Sequence, residues 1–201
     1  METDLNRMTS ENFRNSSGYE ISKTKLFKLL QPNTWLCDQM INICIENFIS
    51  EGFIVKDTFY FIELTSLTER LSTPKWNEIF ESAETLAIPV NLDFHWSLIV
   101  LRNVVDSLHI EFWDSLPSQQ RIDKIIKLLI NSYNTCSVAK KNISFTSKSD
   151  CYIQSDTDNC GIFLIANIIA LIFNKQTCNI QPTQARKAVA LLILQSVQLI
   201  L

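Results

Sequence analysis

The spacing of apolar residues along the chain predicts five helices. Within residues 35–50, Ile41, Cys44 and Phe48 recur at the three- and four-residue intervals that place side chains on one face of a helix. Comparable spacing predicts helices at residues 74–86, 121–133 and 161–174, with a closing helix at residues 182–201. Residues 59–67 are also apolar, and this segment fits either a helix or a strand.

Two segments near the middle of the chain have the pattern of neighbouring strands. Residues 95–101 form an apolar run typical of a buried strand, and residues 108–114 alternate between apolar and polar side chains. Shorter strands are expected at residues 143–145 and 151–153. Because helices and strands follow one another in mixed order, the pattern predicts an α+β fold.

The start of the chain is polar and predicts a flexible N-terminal arm over residues 1–24. The remaining residues, 25–201, have the length of one ordinary domain with a sizeable core. A hydrophobic fraction of 46% and a charged fraction of 19% are typical of a folded globular protein. We therefore expect an arm followed by a single domain.

Charge and hydropathy exclude two classes of partner. A net charge of −3 without a Lys/Arg cluster argues against nucleic-acid binding. The longest apolar runs, residues 162–173 and 188–201, are too short or too interrupted to span a membrane, and the N-terminus lacks the apolar core of a secretory signal. We expect a monomer in the cytoplasm or nucleus, with no membrane association.

The six cysteines are expected to be reduced thiols. Their spacing is irregular and contains no Cys-x-x-Cys pair, so neither a structural zinc site nor any other cofactor is expected. Five of them are assigned to ordinary packing as small buried or half-buried side chains. The remaining one, Cys160, lies at the boundary between a polar segment and an apolar helix, where a nucleophile can be held rigidly and still be reached.

The two central strands bring a histidine and an aspartate together. If they form an antiparallel hairpin in which Leu101 pairs with Leu108, His95 lies directly opposite Asp114, with Cβ atoms roughly 4.5–5.5 Å apart. A carboxylate in that position accepts the imidazole N–H, selects the tautomer and stabilises the imidazolium. The other histidine, His109, lies within a strand away from catalytic groups, so His95 is the expected base.

Cys160 has the sequence context of an activated nucleophile. Asp158 or Asn159 can cap the helix that follows, which places the thiol in or beside its first turn. The helix dipole and a neighbouring imidazolium both favour the thiolate. Gly161 leaves room for a substrate backbone. Gln154, in the loop before the cysteine, is a candidate donor to a developing oxyanion.

The sequence resembles the ubiquitin-like-protein-specific cysteine proteases of the adenain-like group. The blocks that carry the resemblance are Trp35-Leu36-Cys37-Asp38, Pro89-Val90-Asn91-Leu92 leading to His95-Trp96, Trp113-Asp114-Ser115, and Gln154 through Cys160-Gly161. The order of histidine, aspartate and cysteine separates this group from papain-like enzymes, in which the cysteine comes first. The resemblance covers residues 30–175 and implies a central mixed sheet that carries the histidine and aspartate and packs on a buried helix headed by the cysteine.

The same resemblance assigns roles to individual residues. It implies a base, an orienting carboxylate, a nucleophile and an oxyanion donor at His95, Asp114, Cys160 and Gln154, respectively. Trp35 and Trp96 match tryptophans that roof a narrow tunnel for the Gly-Gly tail of the substrate, because flat indoles leave a slot that only residues without side chains can thread. Asp38 matches an acidic residue that contacts the modifier.

Two residues depart from the family pattern. Cys37 stands where the family usually has asparagine, and Asn159 stands where it usually has aspartate before the nucleophile. The short chain and residues 30–35 and 95–98 look like the deneddylase branch, whereas residues 89–92 look more like the SUMO-protease branch. The balance favours a deneddylase-like enzyme.

These features predict a hydrolase: a thiol protease and isopeptidase that cleaves after the C-terminal Gly-Gly of a ubiquitin-like modifier. Its partner is the neddylation modifier or SUMO, which it releases from target lysines and matures from a precursor. One alternative is an acetyltransferase effector of related fold that uses the same triad, although the sequence has no basic cofactor patch. The other is a degenerate protease that only binds a modifier. The retention of all four catalytic residue types argues against this alternative.

Overall fold

The structure is a computed structural model that describes residues 12–15, 18–46, 48, 51–82, 85–104, 106–136, 141–174 and 180–199. The chain divides into two compact units. The central unit comprises residues 49–151, and the terminal unit combines residues up to 48 with residues from 152 onwards. The prediction of a single domain over residues 25–201 stays a prediction.

A five-stranded mixed sheet forms the centre of the central unit, in the order β3-β4-β5-β6-β7. Its strands are β3 (Phe53–Val55), β4 (Thr85–Leu92), β5 (His95–Val104), β6 (Ser107–Trp113) and β7 (Asn142–Ser147). The three inner strands are antiparallel, and each edge strand runs parallel to its neighbour. The predicted α+β class and the mixed sheet that carries His95 are confirmed.

Three helices accompany this sheet: α3 (Tyr60–Leu64), α4 (Glu69–Glu81) and α5 (Gln119–Cys136). The apolar face of α5 buries Ile122, Ile125 and Leu129 in the core of the central unit, as its helical spacing predicts. Trp76 of α4 is fully buried, and its indole N–H donates to Ser132 Oγ across 3.0 Å. Because the buried indole N–H has this partner, burying the ring leaves no unsatisfied donor.

Within the described residues, the terminal unit contains four helices and a small sheet. The helices are α1 (Lys23–Leu30), α2 (Asp38–Ile45), α6 (Cys160–Ile172) and α7 (Pro182–Ser196). Strands β1 (Asn12–Asn15), β2 (Glu20–Ser22) and β8 (Val197–Leu199) form an antiparallel sheet in the order β2-β1-β8. Nine of the 13 residues of helix α6 are buried, which agrees with its largely apolar sequence.

Several boundaries differ from the sequence predictions. Helix α2 begins at Asp38 and not at residue 35, and α4 begins at Glu69 and ends before β4. The last predicted helix ends at Ser196 and is followed by a strand. The segment at residues 59–67, for which two structures were open, contains a helix.

One predicted strand is absent because a backbone donor pairs with a distant side chain, and the segment predicted as an N-terminal arm contains paired strands where the structure describes it. Residues 151–153 form no strand, since the N–H of Tyr152 donates to the side chain of Asn167 on α6 and not to a strand. Within the predicted N-terminal arm, Phe13 and Ile21 are buried and belong to paired strands. The prediction for residues 1–11 lies outside the described residues.

Candidate active site

His95 and Asp114 form a buried pair in the central unit. His95 is the first residue of β5, and Asp114 directly follows the end of β6. The distance from His95 Nε2 to Asp114 Oδ1 is 2.6 Å, and both side chains are buried. With Nε2–H donating to the carboxylate, Nδ1 is the basic nitrogen of the neutral imidazole. The predicted contact between these residues is therefore present.

The strand register that produces this contact differs from the predicted one. Leu101 pairs with Ile110 and not with Leu108. The prediction that His95 lies directly opposite Asp114 is therefore wrong, and the two side chains approach diagonally. The contact survives because side chains alternate between faces with a period of two, so a shift of two residues leaves His95 and Asp114 on one face.

Arg121 completes the surroundings of the Asp114 carboxylate. Its guanidinium donates to Asp114 Oδ2 across 3.1 Å from Nη2 and 3.3 Å from Nε, and the N–H of Leu116 donates to Oδ1 across 2.9 Å. Burial opposes ionisation, but the hydrogen bonds from His95 and Leu116 and the positive charge of Arg121 hold the pKa of Asp114 below its usual value. Asp114 is consequently an ionised acceptor for the imidazole.

Cys160 is the first residue of α6 in the terminal unit, and it is buried. Asn159 is the N-cap residue, but its side chain makes no capping bond, so the prediction that Asp158 or Asn159 caps the helix is not met in that form. The Asp156 carboxylate instead accepts the backbone N–H groups of Asp158 and Asn159, each across 2.9 Å. This turn places Cys160 at the positive end of the helix dipole, and that position favours a thiolate.

Arg186 of α7 holds the turn before the nucleophile. Its side chain is buried, and Nε donates to Asn159 Oδ1 across 2.8 Å. The remaining donors reach the backbone oxygens of Leu29, Thr34 and Asp158 across 3.1, 2.7 and 3.4 Å. Burial lowers the pKa of Arg186, against the opposing influence of nearby acidic groups. A single guanidinium therefore joins the end of α1, the segment before Trp35 and the turn before Cys160.

Gln154 lies at the start of that turn and is buried. Its Nε2 donates to the backbone oxygen of Asp156 across 2.6 Å. This bond fixes the orientation of the amide within the loop that leads to Cys160. The assignment of Gln154 as an oxyanion donor stays a prediction.

The predicted substrate-binding residues occupy different surroundings. Trp35 is 49% exposed, and its indole N–H donates to Asp158 Oδ1 across 2.9 Å, which ties it to the turn before Cys160. Trp96 is buried on β5 beside His95 in sequence. Asp38 is the first residue of α2, and Gly161 is the buried second residue of α6. Their roles toward a substrate stay predictions.

The other described cysteines have the surroundings of packing residues. Cys37, Cys44 and Cys151 are not in disulfides, and burial raises the pKa of both Cys44 and Cys151. Cys151 donates from Sγ to the backbone oxygen of Asp114 across 3.3 Å, so it supports the chain at the orienting carboxylate. Cys178 and the side chain of Cys136 lie outside the described part of the chain.

Neither a metal-binding cluster nor a membrane-spanning helix is found in the part of the chain that the structure describes. No cluster of three or more histidine, cysteine, aspartate or glutamate side chains there is arranged to hold a metal ion. None of the helices described has the length and apolar character needed to cross a membrane.

Sequence reasoning missed Arg121 and Arg186, which contact the expected catalytic segments. Arg121 follows Asp114 by seven residues and lies in the first turn of the amphipathic helix α5, so the sequence offers a local signal for it. Arg186 is 27 residues from Asn159 along the chain, and nothing local distinguishes it from a surface arginine. Only the packing of α7 shows that it is buried.

A buried histidine–aspartate pair and a cysteine that begins an apolar helix are the components of a cysteine protease, here within an α+β fold. The model of the Ulp1 protease family, C-terminal catalytic domain, matches residues 34–187, and the chain belongs to this family of cysteine proteases. No curated protein matches the chain significantly in the sequence comparison.

Solved structures from two fungi and a bacterium share the fold. The C-terminal Ulp1 protease domain from yeast, in complex with the SUMO orthologue Smt3, is 20% identical and superposes with a TM-score of 0.68, covering 97% of this chain and 92% of that one. The Ulp1-like SUMO protease catalytic domain of Chaetomium thermophilum is 19% identical, with a TM-score of 0.61 and coverage of 96% and 86%. The effector XopD of Xanthomonas campestris, bound to ubiquitin, is 13% identical, with a TM-score of 0.58 and coverage of 80% and 92%.

Proposed function

We propose that this protein hydrolyses the bond that follows the C-terminal Gly-Gly of a ubiquitin-like modifier. The observation that carries the proposal is the buried hydrogen bond of 2.6 Å between His95 Nε2 and Asp114 Oδ1, in a chain that belongs to the Ulp1 protease family. An aspartate that accepts from one imidazole nitrogen prepares the other to take a proton. Peptide and isopeptide hydrolysis by a cysteine needs such a base.

The proposed reaction assigns one role to each catalytic group. Cys160 attacks the carbonyl carbon of the terminal glycine as a thiolate, and the resulting oxyanion accepts a hydrogen bond from Gln154. The His95 imidazolium, stabilised by Asp114, gives its proton to the departing amine of the target lysine. Water then gives a proton to His95 as it attacks the thioester, and the C–S bond breaks, which releases the modifier with a free carboxylate and restores the Cys160 thiolate beside the His95 imidazolium.

Substrate selection in this proposal rests on residues around the nucleophile. Trp35, fixed to Asp158 through its indole N–H, and Trp96 roof the path of the Gly-Gly tail. Gly161 has no side chain and allows the backbone of the tail to approach Cys160. Asp38, at the start of α2, contacts the modifier beyond its tail.

SUMO is the first modifier to test, because two structures of similar fold are a Ulp1 domain bound to the yeast SUMO orthologue and a Ulp1-like SUMO protease. The neddylation modifier is the second, because residues 30–35 and 95–98 resemble the deneddylase branch. Ubiquitin is the third, since the XopD structure contains it. In this proposal the enzyme acts as a monomer in the cytoplasm or nucleus, on conjugates and on modifier precursors.

The decisive experiment uses modifiers that end in Gly-Gly followed by an electrophile, prepared separately from SUMO, the neddylation modifier and ubiquitin. We expect one probe to form a covalent adduct at Cys160, as identified by mass spectrometry. Cys160→Ala should form no adduct and lose turnover while it still binds that modifier. Cys37→Ala, which removes another thiol of the terminal unit, is the matched control and should label like the wild type.

Other results would favour different functions. A folded protein that reacts with none of the three probes would refute the proposed hydrolysis. Equal cleavage by the wild type and Cys160→Ala would show that the cysteine is not the nucleophile. Transfer of an acetyl group from acetyl-CoA without modifier cleavage would replace the proposal with acyl transfer.

A further inference from the structure

The turn that leads into His95 has an unusual backbone. Leu92 pairs with His95 across β4 and β5, so Asp93 and Phe94 are the two central residues of a hairpin turn. Their φ angles are 54° and 59°, and both therefore lie in the left-handed region. This is the geometry of a type I′ turn, for which Asn-Gly and Asp-Gly are the preferred sequences.

Phe94 is the unexpected residue in this turn. Among the described residues, the non-glycine positions with positive φ are Asn33, Asp93, Phe94 and Asn174. Asparagine and aspartate tolerate that conformation, whereas a bulky residue is strained there. The hairpin would form more readily with glycine or asparagine at this position, so the turn itself does not require phenylalanine.

Packing does not require this side chain either. Phe94 is 82% exposed, the highest value for a large apolar side chain in the described part of the chain. A phenylalanine that remains in water gains little of the free energy that burial of its ring would supply. The residue thus carries backbone strain without contributing to the core, and strain of this kind concentrates at functional sites.

The position of Phe94 indicates which function the ring serves. Phe94 directly precedes His95, so their Cα atoms are roughly 3.8 Å apart. The preceding residue, Asp93, forms an ion pair with Lys124 of α5, which attaches the turn to a helix of the same unit. An aromatic ring is therefore presented to solvent from a fixed turn, one residue from the expected catalytic base.

We propose that Phe94 is a specificity-determining residue that packs against an apolar side chain of the modifier outside its Gly-Gly tail. This inference rests on the proposed function and adds a contact to it. The two glycines offer no side chain to an aromatic ring, so its apolar partner comes from the residues before them or from the folded body of the modifier. Binding supplies the burial that the free protein lacks.

The test uses Phe94→Asn, because asparagine accepts the left-handed backbone and removes the aromatic ring. Its melting temperature should rise by about 2–4 °C as the strain is relieved. With the modifier that reacts fastest with the wild type, KM should rise roughly tenfold or more while kcat changes little. The separate variant Phe94→Tyr retains an aromatic ring, so its KM should be close to the wild-type value.

Two controls separate recognition from damage to the catalytic groups. Phe59→Asn removes another exposed phenylalanine of the central unit and should leave KM and kcat unchanged. The rate at which iodoacetamide alkylates Cys160, measured by mass spectrometry, reports whether Phe94→Asn disturbs the nucleophile. We expect that rate to equal the wild-type rate.

The remaining outcomes distinguish this inference from the function on which it rests. An active wild type with an unchanged KM in Phe94→Asn would overturn the role of Phe94 alone. A fall in kcat together with slower alkylation would overturn it in favour of a structural role next to His95. Concentration-dependent sedimentation that Phe94→Asn abolishes would assign the ring to self-association. A wild type that reacts with no modifier probe would overturn both proposals.

Discussion

Arg186 donates from Nε to Oδ1 of Asn159 across 2.8 Å, while Nδ2 of Asn159 donates to Oδ2 of Asp156 across 2.9 Å. An amide suits this place because it accepts on one side and donates on the other. An aspartate, the usual family residue at this position, has no donor when ionised and would face the carboxylate of Asp156. The side chains of Asp156 and Arg186 therefore suit the amide of Asn159, which departs from the family pattern at this position.

Asn159→Asp should destabilise the protein for this reason. At neutral pH it replaces a hydrogen bond with two carboxylates in contact, and the free energy of unfolding should fall by about 1–3 kcal/mol. The double variant Asp156→Asn with Asn159→Asp exchanges the two groups, so an amide donor again faces a carboxylate and most of the loss should be recovered. Urea denaturation of the four proteins of this cycle measures the coupling. Equal destabilisation of the single Asn159→Asp variant and the double variant would contradict the interpretation.

Arg186→Met should have a larger effect. It removes the donors to four acceptors, three of which are backbone oxygens. We expect the free energy of unfolding to fall by about 3–5 kcal/mol, the range for breaking a buried charged network. Arg186→Lys should recover only part of this loss, because one ammonium group cannot reach all of these oxygens. Lys187→Met, at the next and exposed position of α7, is the control and should change stability little in the same urea titration.

Asp114→Asn should reduce turnover of the reactive modifier by roughly 10³–10⁴-fold, because an amide no longer selects the tautomer or stabilises the imidazolium. Stopped-flow cleavage of a fluorogenic modifier conjugate measures this loss. Asp123→Asn, on the exposed face of α5, is the matched control. A loss of less than tenfold would show that Asp114 does not orient the base.

The stability of Asp114→Asn should also depend on pH differently from that of the wild type. The pKa of Asp114 is lower in the folded protein than that of a free carboxyl group, which is about 3.9. Ionised Asp114 therefore stabilises the fold above that value, and its contribution is lost as pH falls through the lowered pKa. The difference between the urea midpoints of the two proteins should narrow progressively as the pH falls below about 4. Parallel curves over the whole range would contradict this linkage.

Arg121→Gln should raise the acid limit of activity. The variant loses a charge whose donors reach Asp114 Oδ2 across 3.1 and 3.3 Å, so the carboxylate becomes easier to protonate. The acidic limb of the kcat/KM profile should move to higher pH, whereas Lys127→Gln, on the exposed face of the same helix, should leave the profile in place. Identical profiles for the two variants would assign Arg121 a structural role only.

Local sequence was sufficient to predict two of the helices around the candidate catalytic residues. The spacing of Ile122, Ile125 and Leu129 predicts an amphipathic helix, and these residues are buried in α5. The apolar run after Cys160 predicts a buried helix, and α6 begins at that cysteine. Such patterns succeed because side-chain periodicity is a property of a few consecutive turns or strand residues.

Sequence alone did not determine how these elements pair. The hairpin was predicted, but its register differs by two residues, and the His95–Asp114 contact persisted because both registers place the two side chains on one face. The strain at Phe94 was equally hidden, since a hydrophobic residue before a strand gives no indication of its φ angle. Register and turn geometry depend on the whole sheet.

The sequence by itself determined the types of catalytic group, their order along the chain and the family to which the chain belongs. Only the tertiary structure decided that Arg121 donates to Oδ2 of Asp114 and that Arg186 joins the turn before Cys160 to the segment before Trp35. For Arg186 the physical reason is distance along the chain, since it lies 27 residues from Asn159 and 152 residues from Thr34. An arginine on a distant helix becomes a buried donor only when packing excludes water from it and leaves carbonyl oxygens that need a partner.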